Sequence, residues 1–224
     1  DKVKFYTGLF HALLGRGLAS DANGYYPKNN GTVGRIALDE EGNPVHQHYN
    51  TDAIWGGFWN LTQLWSLAYP EYYSDWIKSQ LLVYQDAGWL GDGIACSKYV
   101  SGVGTNFTSL AIAAAYNCGI RDFDVQQGYE AALKNEVEWR GRLEGAGKMD
   151  VRQFVERGYS PYEKRFDMVT VRKDLGLVLH IQWNTVSVVL LCPNLPNIWV
   201  KRMTISYSLI CRMAGRIFMI RRPV

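Results

Sequence analysis

The 224-residue sequence contains no run of about 18 uncharged apolar residues, the length that a helix needs to cross a bilayer. Its first residues, DKVKFYTGLFHALLGRG, also lack the apolar core and small-residue cleavage site of a secretory signal peptide. We therefore expect neither a membrane span nor an uncleaved secreted precursor.

Closely spaced cysteine pairs are missing as well. Four cysteines occur, and no two of them have the CxxC spacing that is typical of zinc knuckles. They are Cys96, Cys118, Cys192 and Cys211. We expect no zinc site and no dense disulfide framework, and we interpret the four residues as small buried hydrophobic side chains.

Acidic residues are nearly absent from the end of the chain. Residues 171–224 hold eight Lys or Arg and a single acid, Asp174, which gives a net charge of +7. Residues 1–170 hold 16 basic and 20 acidic residues, a net charge of −4. The overall charge of +3 therefore conceals two compositional parts.

The composition is otherwise that of an ordinary globular protein, with 47% hydrophobic and 20% charged residues. Trp and Tyr are concentrated in the first part, most densely in the segment 69–76. Such rings bury large areas, and they also form the stacking floors of sugar sites, because the C–H face of a pyranose is apolar.

Apolar residues recur at helical spacing in several segments separated by glycine. The predicted helices span residues 3–14, 53–69, 71–86, 106–117 and 125–139, and Asp150 begins a further short helix. Pro70 and Gly88 are expected to bound the third helix, and Asp122 or Asp124 to begin the fifth. Short turns alternate with long glycine-rich loops, which favours an all-α toroid with the loops at one end building a site.

One β-hairpin is predicted within the first long loop. The β-prone segments TVGRIAL and VHQHY flank DEEGNP, which has the composition of a turn. We expect a short hairpin insertion from residue 32 to residue 49.

Five segments together resemble the start of the catalytic domain of glycoside hydrolase family 92. They are FYTGLFHALL, LASDANGYY, the long stretch from YNTDAIWGGFW to YQDAGWL, GTNFTSLAIAAAYNCGIRDFD and FVERGYSP, in collinear order over residues 3–165. The resemblance implies the first half of an (α/α)6 toroid, and we assign residues 1–170 to this incomplete catalytic domain.

The resemblance also implies a function. Family members are typically calcium-dependent, inverting exo-α-mannosidases with an N-terminal β-sandwich, and we expect a secreted or periplasmic enzyme acting on terminal α-mannosides. The family's catalytic acid, catalytic base and calcium ligands lie further toward the C-terminus, so no catalytic or metal-binding residue is assigned here. We expect a glycan as the partner and no nucleic acid, and we expect the truncated chain itself to be inactive.

The chain departs from the family pattern at two places. Many members have a Trp-Asp pair where this chain has Trp55-Gly56, and many have Gly-Thr-His where it has Gly104-Thr105-Asn106. These departures indicate a divergent subgroup.

Two substrate contacts follow from the resemblance. Asp21 matches a loop acid that binds sugar hydroxyls, since a carboxylate accepts charge-assisted hydrogen bonds. The same residue would also suit an Asx turn over residues 21–24. Trp55 matches a ring that borders the terminal-sugar pocket, although it would equally serve as a core anchor of its helix. Asp52, just before it, is interpreted as a helix cap.

Other acidic and imidazole groups have structural interpretations beside chemical ones. His46 and His48 would lie on one side of a strand as a metal pair, but no third ligand is evident. Inversion requires two carboxyl groups about 6.5–9.5 Å apart. Four aspartates are candidates that helix caps and turns explain equally well: Asp86, Asp92, Asp122 and Asp124.

The basic tail shows no resemblance to the family. We translated residues 171–224 back into permitted codons and read these codons in the frame that begins on the third base. The resulting sequence is similar to the family's next stretch. We therefore predict a frameshift near residues 170–173, so that 171–224 is an out-of-frame tail.

Two alternatives to an enzyme fragment stay open. The chain could be a non-catalytic carbohydrate-binding helical module that uses Asp21, Trp55 and the loop 89–104. The basic tail could instead bind nucleic acid or an anionic membrane, with a steep salt dependence.

Overall fold

The computed structural model describes residues 1–52, 54–58, 60–91, 93–95, 97–100, 106–147 and 151–157. Within these residues the chain is mainly helical, as predicted. The α-helices are α1 (Lys2–Leu13), α2 (Leu61–Ala68), α3 (Pro70–Ala87), α4 (Phe107–Asn117), α5 (Val125–Val137) and α6 (Val151–Arg157). Asp92, Cys96, Thr105, Asp150 and the tail 171–224 lie outside the described residues.

The single helix predicted over residues 53–69 is wrong in its first half. A 3-10 helix covers Ile54–Phe58, and α2 begins only at Leu61 after Asn60, whose φ is −152°. Gly56 and Gly57 explain the break, because glycine is among the weakest helix formers and a tight 3-10 turn tolerates it.

The chain also forms two short antiparallel strand pairs. β1 (Tyr25–Pro27) pairs with β2 (Val33–Arg35), and β3 (Ile94–Ala95) pairs with β4 (Lys98–Tyr99). Gly34 is required in β2, because a Cβ there would lie 2.5 Å from Cζ of Tyr26.

The hairpin predicted from residue 32 to residue 49 is therefore only partly correct. Its turn forms, since Oδ1 of Asp39 accepts hydrogen bonds from the main-chain N–H groups of Glu41 and Asn43 and a bridge joins Leu38 to Pro44. The N–H of Val45 also donates to the carbonyl of Ala37 at 2.9 Å, but residues 33–35 pair with β1 as β2, so the predicted hairpin forms only next to its turn.

The core lies between α2, α3 and α4 and is rich in aromatic rings. Trp65, Tyr73 and Trp76 are fully buried, and the Trp65 ring lies 5.2 Å from that of Tyr73 and 5.4 Å from that of Trp76. The small side chains of α4 let it approach α3 closely, so that the Tyr73 hydroxyl donates to the carbonyl of Ala111 at 2.5 Å. Pro70 starts α3 and Gly88 ends it at φ +80°, both as predicted.

At α1 and at Cys118 the chain is more exposed than the sequence predicts. No residue of α1 is buried, and Phe5 is 65% exposed although Ala12 and Leu13 pack against the core. Cys118, predicted to be buried, is exposed because it caps the C-terminus of α4.

The connections alternate between short and long, as expected for a toroid. Tyr69 alone separates α2 from α3, and seven residues separate α4 from α5. The other connections are loop A (14–53), loop B (88–106) and loop C (138–150). Within the described residues no helix has the length and hydropathy that a bilayer span requires.

Candidate functional site

Loops A, B and C come together at one end of the helices. Thr51 of loop A exchanges main-chain hydrogen bonds of 3.0 and 2.6 Å with Ile94 of loop B. Gly91 of loop B pairs with Ala146 of loop C. Loop A leads into the 3-10 helix, loop B into α4 and loop C into α6, so a site at this end would be built on the loops and on the helix starts that follow them.

Trp55 lies on the 3-10 helix at the exit of loop A. Residues three apart share a face of such a helix. Ile54 and Gly57 occupy the buried face, whereas Trp55 and Gly56 lie on the open one, with Trp55 42% exposed. The ring is thus available at the surface, and its contact with sugar stays a prediction.

Asp21 lies in loop A, in the turn before β1. Main-chain groups close this turn: the N–H of Gly24 donates to the carbonyl of Asp21 at 2.9 Å, and the N–H of Asp21 donates to the carbonyl of Tyr25 at 2.8 Å. Gly24 has φ +82°, which glycine adopts without strain. These hydrogen bonds use main-chain atoms of Asp21. They therefore do not depend on its side chain, which is exposed.

Asp52 joins the two ends of loop A. Its main-chain N–H donates to the carbonyl of Gly15 at 3.1 Å, and its Oδ2 lies 2.7 Å from where a Cβ on residue 15 would be. Burial lowers the pKa of the adjacent Arg16, and the charge of Asp52 opposes this shift. The N-cap of α2 is Asn60, so the prediction that Asp52 caps this helix is wrong.

His48 is buried inside loop A and does not form a strand-borne pair with His46. Its ring packs 4.8 Å from Tyr26, and its Nε2 lies 3.2 Å from Oγ of Ser97 in loop B. Burial, reinforced by the charge of His46, lowers the pKa of His48 to about 4. The imidazole is therefore neutral near pH 7 and holds the two loops together.

Three of the four candidate aspartates have structural partners. Asp86 accepts hydrogen bonds of 2.7 Å from the Tyr26 hydroxyl and from Nζ of Lys28. Asp122 pairs with Lys78, whose hydrogen bond and charge lower the pKa of that carboxyl, and Asp124 caps α5 through the N–H of Gln127. In the described part of the chain, no three His, Cys, Asp or Glu side chains gather as a calcium or zinc site requires.

A buried amide cluster joins loop B to α4 and α5. Asn135 accepts from the N–H of Leu90 at 3.3 Å and donates to its carbonyl at 3.1 Å. Asn106 accepts from Asn135 at 3.0 Å and donates to Glu136 at 2.6 Å. Sequence analysis missed this cluster, and the only signal was Asn106 in the position where many family members have histidine.

A small cavity lies beneath the 3-10 helix. Its volume of about 60 Å³ is well below the roughly 300 Å³ of a typical ligand pocket. The lining residues are Ile54, Thr62, Gln63, Phe107, Leu110, Ala111 and Ala114.

Comparison with solved structures found similar folds among mannosidases of Bacteroides thetaiotaomicron. A family GH92 alpha-mannosidase in complex with mannoimidazole is 15% identical, with a TM-score of 0.67, over 95% of this chain and 24% of that one. An inverting mannosidase of family GH92 from strain VPI-5482 is 20% identical, with a TM-score of 0.58, over 72% of this chain and 21% of that one. The chain thus spans about a quarter of these structures. A comparison with curated proteins gave no match.

The predicted fold, an incomplete toroid of paired α-helices, is confirmed by this similarity. The model of the glycosyl hydrolase family 92 catalytic domain matches residues 1–175 of the 224. The chain therefore belongs to glycosyl hydrolase family 92.

Proposed function

We propose that this chain is the first part of an inverting exo-α-mannosidase. The complete enzyme hydrolyses the terminal α-mannosides of glycans. The match to the family catalytic domain over residues 1–175 is the observation that carries the proposal. The names of the similar solved structures support the choice of α-mannosides.

Two residues of the chain are proposed to contact the substrate at the end where loops A, B and C meet. The exposed part of the Trp55 ring offers a flat apolar surface for the C–H face of the terminal sugar. The exposed carboxylate of Asp21 accepts hydrogen bonds from sugar hydroxyls. Both contacts orient the glycosidic bond without taking part in proton transfer.

The remaining chemistry is proposed to come from outside the described residues. Inversion needs one carboxyl group to protonate the leaving oxygen and another to activate water. Asp86 and Asp122 are held by lysines and Asp124 caps a helix, so none of the three is offered for these roles. Calcium, which the family resemblance implies, does not fit the described side chains, and we propose that its ligands lie elsewhere in the complete protein.

Two further properties follow from the proposal. We expect the 224-residue chain alone to be inactive, because the family resemblance places the catalytic acid and base further toward the C-terminus. The complete protein is secreted or periplasmic, where it meets glycans.

The test is hydrolysis of p-nitrophenyl α-mannoside by the chain and by the complete protein, meaning this chain joined to the rest of its catalytic domain in the restored reading frame. We expect turnover by the complete protein, lost on adding EDTA and restored by calcium, and none by the chain alone. Sugar binding without turnover by the complete protein would instead favour the carbohydrate-binding module. Turnover by the 224-residue chain would contradict our assignment of catalysis to the missing part.

A further inference from the structure

Ser97 is the point where loop B departs from ordinary backbone geometry. It lies between β3 and β4, and among the residues that the structure describes it is the only one other than glycine with a positive φ, at +59°. This left-handed conformation is strained for a residue that has a Cβ, whereas glycine adopts it freely. The surroundings of the serine must therefore offset the strain.

Two contacts from loop A hold Ser97 in place. Its Oγ lies 3.2 Å from Nε2 of His48, and its carbonyl accepts a hydrogen bond of 2.9 Å from Nδ2 of Asn29. Ser97 and His48 are both only 1% exposed. The strained turn of loop B is thus supported by a distant part of the chain, 49 and 68 residues away.

The position of His48 suits a neutral ring. Its Nδ1 is buried and has no hydrogen-bond partner among the described residues. A neutral imidazole can leave this nitrogen without a proton, but an imidazolium carries a proton on both nitrogens. Protonation in place would create a buried N–H without an acceptor, which is unfavourable. The ring therefore has to move in order to become charged.

The neighbouring charges do not reverse this preference. Asp86 favours the charged ring, but its two oxygens already accept hydrogen bonds of 2.7 Å from the Tyr26 hydroxyl and from Nζ of Lys28. The charge of His46 disfavours it. The titratable groups around the ring and its acid are Tyr26, Lys28 and His46 of loop A, Asp86 of α3 and Tyr99 of loop B.

We propose that His48 and Ser97 form an acid-released latch between loops A and B. When the ring takes up a proton it leaves Ser97, the strained turn loses its support, and the two loops separate around this contact. The helical core stays folded, because buried aromatic rings hold it and acid does not charge them. The inference rests on the contacts of the loops and is independent of the proposed function.

Hydrogen exchange of the 224-residue chain, followed by NMR from pH 7.5 to pH 4.5, tests the latch. Two amides report on it, since the N–H of Ala19 donates to the carbonyl of His48 at 2.7 Å and that of Val100 to the carbonyl of Gly93 at 3.0 Å. Burial lowers the pKa of His48 from 6.5 to about 4, so both protection factors should fall on the order of a hundredfold. At pH 4.5 amides in the middle of α3 should stay at least about a hundredfold better protected than these two.

His48→Gln removes the titrating group and should reduce the acid-dependent fall to less than about tenfold. His11→Gln, at an exposed position of α1, is the matched control and should keep the full fall.

Two substitutions of Ser97 separate the strain from the hydroxyl. Both remove the hydroxyl, but only Ser97→Gly also removes the strain. At pH 7.5, Ser97→Ala should lower the protection factor of Val100 by about tenfold, and Ser97→Gly should leave it at or above the wild-type value.

Three results overturn the latch: unchanged loop protection at pH 4.5, a full acid-dependent fall in His48→Gln, or equal protection of Val100 in the two Ser97 variants. Equal protection of the loop amides and of α3 at pH 4.5 overturns it too, because acid would then unfold the chain as one unit.

Discussion

In the turn at Asp21, the main chain and the side chain have different roles. The carbonyl and N–H of Asp21 close the turn with Gly24 and Tyr25, whereas its carboxylate is exposed. A substitution that keeps the main chain should therefore keep the turn.

Asp21→Asn in the complete protein should lower kcat/KM for an α-mannoside by about tenfold to a hundredfold, because hydrogen bonds to charged groups contribute roughly 1.5–3 kcal/mol. The melting temperature should stay nearly unchanged. Glu40→Gln, the same chemical change at another exposed position of loop A, is the control and should alter neither quantity. Equal losses of activity and stability would show that Asp21 acts through the turn.

His48 should make the stability of the chain depend on pH. Its pKa is about 4 in the folded chain, against 6.5 for an exposed histidine, because burial disfavours the charged ring. The unfolded chain therefore binds a proton that the folded chain excludes. Stability from this group is complete above pH 6.5 and is lost as the pH falls toward 4.

Urea unfolding between pH 7.5 and pH 4 should show a loss from His48 on the order of 2–3 kcal/mol. His48→Gln should flatten the profile in that window, and His11→Gln, at an exposed position of α1, should not. Identical profiles for the wild type and His48→Gln would mean that the buried ring titrates normally.

Single residues were the hardest features to predict from the sequence. The burial of His48 depends on Ser97, 49 residues away, and the amide cluster depends on Asn135 meeting Leu90, 45 residues away. No local pattern encodes such contacts. Gly88 was predicted correctly, and Asp124 was one of the two predicted starts of α5, because a helix end is decided by its own few residues.

At the scale of elements, the helices were predictable and the pairing of the loops was not. Helical spacing, together with Pro70 and Gly88 at the two ends, predicted α3 almost to the residue. The reason is that the residues of its buried face recur in the sequence at the helical period. The partner of β2 depends on which segment of loop A lies beside it, which a turn motif at residues 39–44 does not determine.

The tie between α5 and loop B gives a test at this scale. Asn135→Ala should lower the free energy of unfolding by about 2–3 kcal/mol, because it leaves the buried N–H and carbonyl of Leu90 without their side-chain partner. Gln126→Ala, at an exposed position of the same helix, should change it by less than about 0.5 kcal/mol. Urea denaturation measures both, and similar small effects would show that loop B is held by other contacts.

For the whole molecule, the exposed apolar surface of α1 agrees with a chain that spans about a quarter of its solved relatives. Val3, Phe5, Tyr6 and Phe10 are each more than half exposed, although a helix with apolar residues on several faces is normally buried. We therefore expect α1 to be covered in the complete protein.

The predicted frameshift gives a second expectation at this scale. If residues 171–224 were not selected together with the helices, truncation after Thr170 should change the melting temperature by less than about 2 °C, the shift for less than about 1 kcal/mol in a domain of this size. Resequencing the coding region should also place a frame change near residue 171. A large loss of stability on truncation, with an intact reading frame, would show that the tail belongs to the fold.

The most direct test of the account is a crystal structure of the complete protein with a mannose-configured glycosidase inhibitor. The account predicts the sugar at the end where loops A, B and C meet, with its C–H face on Trp55 and a hydroxyl within hydrogen-bonding distance of Asp21. A sugar bound at the opposite end of the helices, or out of reach of both residues, would contradict it.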